Sequence, residues 1–187
     1  YQSKGAGRNG LHFFSSNMKT RASLELQLEE ELRQALREEH GLTLYYQPIF
    51  ELKTGRVTKL EALIRWQHPV HGLLAPDRFI AIAETNGLIA ELDNWVLRRA
   101  CADLGELTRH GCDELKIAWN CSPLNLAREE LADEIESALR SAGVAPERLE
   151  LEVTENALMG NIANTLVLLR LIRALGVSLS IDDFGTG

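Results

Sequence analysis

The sequence predicts an α/β protein of the (β/α)8, TIM-like barrel class, with the chain ending after about the first half to two-thirds of such a barrel. Three observations predict it. First, four predicted strands each end on an oxygen-bearing side chain: Glu61 in VTKLEALIRW, Asn120 in LKIAWN, Glu152 in LELEVTE, and the pair Asp182 and Asp183 in VSLSIDD. Barrels of this class build their sites at the C-terminal mouth from groups at several strand ends. Second, strands alternate with helical stretches of roughly 10–20 residues, the pattern of βα units and a parallel sheet. Third, strand side chains alternate faces, and in each strand the bulky apolar set opposes the oxygen-bearing residue. Leu60, Ala62, Ile64 and Trp66 oppose Glu61; Ile117 and Trp119 oppose Asn120; Leu149, Leu151 and Val153 oppose Glu152; Val177, Leu179 and Ile181 oppose Asp182. A doubly wound sheet, apolar on both faces, would not show this.

In chain order, residues 1–17 are rich in Gly, Ser and basic side chains and read as a flexible leader or the end of an upstream domain. Leu24, Leu28, Leu32 and Leu36 recur at four-residue spacing in a helical pattern over 18–40, with Glu29 and Arg33 as a favourable i,i+4 pair. This reads as a solvated linker helix, or as a helical dimer contact. Residues 42–52 and 57–66 pair as a hairpin turned at Gly55. Pro76 opens a short helix over 77–84. An amphipathic helix over 88–110 carries Leu88, Leu92, Trp95, Val96, Ala100, Leu104 and Leu107 on one stripe and is closed by Gly111. Strand 115–120, helix 128–141, strand 149–154, helix 161–174 and strand 177–182 complete the chain, with Gly143 and Gly176 ending the two helices.

The net charge of −7 excludes broad electrostatic binding of nucleic acid, which needs a basic face. Three cysteines, Cys101, Cys112 and Cys121, show no C-x-x-C spacing, and their odd count excludes a closed disulfide framework, so a reducing, cytoplasmic setting is expected. No apolar run approaches the roughly 20 residues of a membrane span, and the cytoplasmic part of a longer, membrane-anchored protein is the alternative setting.

Glu61, Asn120, Glu152, Asp182 and Asp183 offer only hard oxygen donors, which suit Mg²⁺ or Mn²⁺ rather than zinc. Two adjacent aspartates can bridge two ions about 3.5–4 Å apart, as in phosphodiester cleavage. Arg65, four residues after Glu61 and on the same face, can clamp a phosphate. Glu150 shares the inward phase but lies further from the strand end and reads as structural. His40, His68, His71 and His110 read as surface residues, Trp95 and Trp119 as core, and the run Glu29 to Glu31 as a solvated helix face.

The motif EALIRW resembles the signature of EAL domains, phosphodiesterases that hydrolyse cyclic di-GMP to linear pGpG. The runs YYQPIFELKTG, HPVHGLLAPDRFIAIAETNGLI, NWVLRRAC, WNCSPLNL, LELEVTEN and IDDFGTG support it in the right order. The resemblance implies an EAL-type barrel over 41–187, metal ligation by Glu61, Asn120, Glu152 and Asp182, and Asp183 at the second-metal position. It further implies that Glu155 holds the active-site loop beginning at DFGTG, and that Gln47, Leu63 and Arg65 contact the dinucleotide. YQSKGAGRNGLHFF resembles the tail of a GGDEF (diguanylate cyclase) domain, so 1–17 would be its remnant, 18–40 the inter-domain helix, and a homodimer a possible assembly. Cys121 departs from the family's usual aliphatic residue. The family's lysine on a later strand, with further glutamate and glutamine positions, has no counterpart before Gly187. The expectation is therefore an active full domain, and an inactive, poorly behaved polypeptide if it stopped there. A cyclic di-GMP sensor that does not cut, or another Mg²⁺-dependent barrel enzyme, are the rival readings.

Overall fold

A computed structural model describes residues 16–158 and 162–182. Asp183, the DFGTG loop beyond Asp182, and residues 1–15 of the expected upstream remnant lie outside the described residues.

The helix α1 (Ser16–Glu38) leads into a hairpin of β1 (Leu42–Phe50) and β2 (Val57–His68), turned where Gly55 takes a φ of 69° and its N–H reaches the Glu51 carbonyl at 2.8 Å. The two strands are antiparallel, with Leu42 opposite Trp66 and Gln47 opposite Glu61. A three-residue strand, β3 (Gly72–Leu74), folds back on the end of β2. The next elements are α2 (Ile80–Thr85), α3 (Ile89–Arg109), β4 (Lys116–Asn120), α4 (Leu131–Ala142), β5 (Leu149–Thr154), the single turn α5 (Glu155–Leu158), α6 (Ile162–Ala174) and β6 (Ser178–Asp182). The sheet runs β1-β2-β4-β5-β6, with β3 attached to β2. From β2 to β6 every neighbouring pair is parallel. Each parallel step is made by a helix, as βα units require. The α/β barrel class read from the sequence is the one observed, with antiparallel β1 and β3 making the sheet mixed.

The alternation read from the sequence is visible as burial. In β2, Ala62, Ile64 and Trp66 are buried while Glu61, Leu63 and Arg65 stay half-exposed. Ile117, Trp119, Leu149, Leu151 and Val153 belong to the same buried cluster as Leu92, Val96, Leu97 and Leu104 of α3 and Leu131, Ile135 and Leu139 of α4. The helices therefore cover one face and leave the other to polar side chains. The helix α4 ends on Gly143, whose φ of 65° is the left-handed position that favours glycine. Gly105 in α3 has a different reason: a Cβ there would stand 2.8 Å from the Ala142 carbonyl oxygen of α4, so the two chains approach through the missing side chain. The expected start of α4 at 128 is three residues early, because Arg128 folds over the preceding turn to bind Asn125 at 2.9 Å and Glu134 at 2.8 Å.

Helix α1 corrects two readings. Leu28, Leu32, Ala35 and Leu36 are buried in the common core, so this face of the helix is not solvated but docks on the domain itself. His68, read as a surface residue, is 1 % exposed. Its Nε2 lies 2.8 Å from Glu31 of α1, and its Nδ1 accepts the N–H groups of Val70 and His71 at 3.1 and 3.2 Å. Because Nδ1 accepts, Nε2 carries the proton and donates it to Glu31. Glu31 is correspondingly not a bare surface charge. Burial alone raises its carboxyl, but the bonds from Gln27 and His68 outweigh that and hold it below the ordinary value. His40, His71 and His110 are exposed as expected.

Candidate functional site at the strand ends

The parallel register brings the candidate residues to one level of the sheet, although Glu61 lies inside β2, which runs on to His68 to pair with β3, and not at the strand end expected from the sequence. Glu61 is level with Ala118, two residues before Asn120; Asn120 is level with Glu152; Glu152 is level with Ser180, two residues before Asp182. The acids thus climb in register from strand to strand, which is the stagger a tilted, barrel-forming sheet imposes on residues at one height. The structure brings Glu61 and Asn120 into contact, with Nδ2 of the amide 3.0 Å from Oε1 of the carboxylate. Nitrogen and oxygen of such an amide exchange places on a half-turn of the side chain, so the same position presents an oxygen to a cation.

Glu152 is 8 % exposed, and its carboxyl is pushed up by burial, with Glu61 and Glu150 nearby adding to the rise and Lys59 opposing it. Glu150, two residues earlier on the same face, is also raised by burial, but the Lys59 ammonium more than offsets this and holds it low. Lys59 joins both, at 2.7 Å from Glu150 and 3.2 Å from Glu152. Asp182 stands exposed at the tip of β6. Gln47 lies opposite Glu61 on the hairpin and is exposed. Leu63 is half-exposed one residue beyond the registered pair of Ala62 and Trp119. Arg65 bonds the Ile64 carbonyl at 2.8 Å, with its guanidinium 5.8 Å from the centre of the Tyr45 ring, so it lies along the hairpin face. Glu155 opens α5 directly after β5.

Among the described residues, no group of three or more His, Cys, Asp or Glu side chains is close enough to hold a metal ion. The donors nearest one another are Glu61 and the Asn120 amide, with Glu152 one strand over. Their chemistry, oxygen only and partly buried, fits a hard divalent cation.

The chain matches the family model described as the EAL domain over residues 29–187. The chain belongs to the EAL domain family. It is 59 % identical over 187 residues to the cyclic di-GMP phosphodiesterase NbdA of Pseudomonas aeruginosa, covering 100 % of this chain and 24 % of that protein. Over the same 187 residues it is 43 % identical to the bifunctional diguanylate cyclase/cyclic di-GMP phosphodiesterase MucR of the same organism, covering 100 % of this chain and 27 % of MucR. The chain thus spans about a quarter of the length of these curated relatives. Among solved structures, the PaMucR phosphodiesterase in complex with c-di-GMP superposes with a TM-score of 0.82 at 43 % identity, over 86 % of this chain and 65 % of that one. The Xanthomonas citri FimX EAL domain in complex with c-diGMP gives 0.78 at 29 % identity, over 90 % and 65 %. The EAL match begins at residue 29, so the last part of α1 falls inside it.

Two residues of this EAL domain escaped the sequence reading. Lys59 has the inward phase of Glu61, two positions earlier, and extending the alternation by one step would have found it. Asp93 sits in the apolar stripe of α3, a carboxylate where the helical period calls for a hydrophobe; it is 6 % exposed and accepts the Ser122 N–H at 3.0 Å. It lines a 340 Å³ cavity with Leu63, Ile80, Asn120 and Thr154. Burial pushes its carboxyl up to about 6, against the bond from Ser122. A raised acid favours the fold while protonated, so this stability is fully present below the ordinary aspartate value near 4 and is lost as pH rises through about 6. Asp93→Asn is expected to remove that loss, about 3 kcal/mol for a shift of this size. Melting curves of both proteins between pH 4 and 7 check it, and equal pH slopes would refute it.

Proposed function

We propose that the chain carries the N-terminal catalytic part of a metal-dependent phosphodiesterase that hydrolyses cyclic di-GMP to linear pGpG. The observation that carries the reading is the oxygen-only donor set on one face of neighbouring parallel strands, with Asn120 and Glu61 in contact at 3.0 Å and Glu152 level with Asn120. The names of the relatives point to the same substrate.

Glu61, Asn120, Glu152 and Asp182 would hold Mg²⁺ or Mn²⁺, with Asp183 serving a second ion. Bound there, the ions supply Lewis acidity toward a phosphoryl oxygen and a water acidified toward hydroxide. Arg65, swung from the Ile64 carbonyl, neutralises a phosphate of the dinucleotide, and Gln47 and Leu63 line its path on the same hairpin face. Glu155, placed directly after β5, orients the loop that starts at Asp183. Water adds to phosphorus, the P–O3′ bond breaks, and the ribose oxygen leaves with a proton, giving the 5′-phosphate of pGpG. A GGDEF-like remnant over 1–17, joined through α1, a homodimer and a cytoplasmic setting complete the proposal; no helix among the described residues is long and apolar enough to cross a membrane.

The test is incubation of the intact gene product with cyclic di-GMP and Mg²⁺ or Mn²⁺, followed by chromatography for pGpG and calorimetry for binding. Metal-dependent pGpG is the expected result. Tight binding without pGpG would replace this reading with that of a sensor, and neither signal would overturn both.

A further inference from the structure

Below these donors the same face carries a second layer of charged and polar side chains instead of the branched aliphatic filling common in such barrels. Lys59 is level with Lys116 on the neighbouring strand, and Glu150 is level with Ser178. Lys116 reaches Ser178 at 3.2 Å. Lys59 reaches upward as well: its ammonium lies 2.7 Å from Oε1 of Glu150 and 3.2 Å from Oε1 of Glu152. The Ser180 hydroxyl approaches that same Oε1 of Glu152 at 3.5 Å. Among the described residues both hydrogen bonds to the Glu152 carboxylate fall on Oε1, which leaves Oε2 for another partner.

We propose that Lys59 is a built-in competitor for the divalent cation at this donor set, a tethered monovalent charge that balances Glu152 when no ion is bound and weakens the binding of one. This inference rests on the metal-site reading above. The physical ground is simple. Glu152 is nearly buried and shares its face with Glu61 and Glu150, so it needs a positive neighbour, and a buried carboxylate without one is costly. The lysine stem, at 20 % side-chain exposure, delivers that charge without solvent between the partners. An ion arriving on the Oε2 side then meets a carboxylate whose charge is already half spent and a like charge a few ångströms behind it. Both effects lower its affinity, and both act through weakly screened space. Lys59 is therefore a positioning residue: it fixes which oxygen of Glu152 is left for another partner and sets how strongly that oxygen holds a cation.

The experiment is calorimetric titration of the metal-free gene product with Mn²⁺ alone, comparing Lys59→Met, which keeps the stem and removes the charge, with Lys59→Arg, which keeps the charge. Lys59→Met is expected to bind Mn²⁺ roughly tenfold more tightly than the native protein, and Lys59→Arg about equally to it. The melting temperature supplies a second readout independent of activity. Lys59→Met lowers it in the metal-free protein and recovers most of the loss at saturating Mn²⁺, because the ion replaces the missing counter-charge. Unchanged or weaker Mn²⁺ affinity in Lys59→Met, or the same melting loss with and without Mn²⁺, overturns the proposal and leaves the metal site standing. Failure of the native protein to bind Mn²⁺ at all overturns the metal-site reading, and this inference with it.

Discussion

Glu61→Ala is expected to lower metal-dependent pGpG release by a hundredfold or more while leaving the fold intact. Changing a residue that merely supports a metal ligand typically costs 10–100-fold, so removing a donor itself sets a larger floor. The site has little to compensate with. Asn120 would lose its 3.0 Å partner, and Glu152 is already engaged by Lys59. Stability should hardly move, because Glu61 is half-exposed on the polar face and its removal opens no cavity in the helix-covered core. Glu61→Gln separates charge from shape: it keeps the contact with Asn120 and loses the anion, so it should fall nearly as far as Glu61→Ala if ion binding is the role. The measurement is initial rates of pGpG formation by the intact gene product at saturating Mn²⁺, with urea unfolding run alongside. Full activity in either variant would sink the assignment of Glu61 as a ligand.

The features legible in the sequence are those written with a strict period. Strand 149–154 alternates Leu, Glu, Leu, Glu, Val, Thr, and β5 occupies those residues with the apolar set buried. Helix ends marked by glycine were legible for the same local reason, as at Gly143. Elements too short to show a period were not: β3 has three residues and exists because Trp66 and His68 pair with Leu74 and Gly72. The single turn α5 is of the same kind. His68 illustrates a different blindness. A histidine beside Pro69 and His71 looks like a loop residue, and only the docking of α1, with Glu31 brought to 2.8 Å, buries it. Lys59 and Asp93 were hidden because charged residues are normally read as solvated. Their partners, Glu150, Glu152 and Ser122, lie 29 to 93 positions away in sequence and are brought close by the parallel crossovers. Tertiary pairing decides such residues, and sequence phase alone does not carry it.

Trp119→Ala is expected to destabilise the protein by about 3–5 kcal/mol, the usual cost of deleting a fully buried tryptophan. Trp119 is 0 % exposed one residue before the end of β4, level with Ala62 on β2 and Leu151 on β5. Its loss would open a void between the sheet and the helices, next to Asn120, and domains of this kind have only about 5–15 kcal/mol in total. Two opposing terms then make Trp119→Phe the informative companion. Phenylalanine gives up part of the indole volume, a loss of about 1 kcal/mol or somewhat more by the per-methylene scale. It also sheds an indole N–H that has no acceptor among the described residues, a burial that costs about 1–3 kcal/mol. The terms nearly cancel, so Trp119→Phe should lie within about 1.5 kcal/mol of the native protein. Urea unfolding midpoints at constant slope read both numbers. A Phe variant as unstable as the Ala variant would mean that the indole N–H does find a partner and that Trp119 serves the strand end by hydrogen bonding as well as by volume.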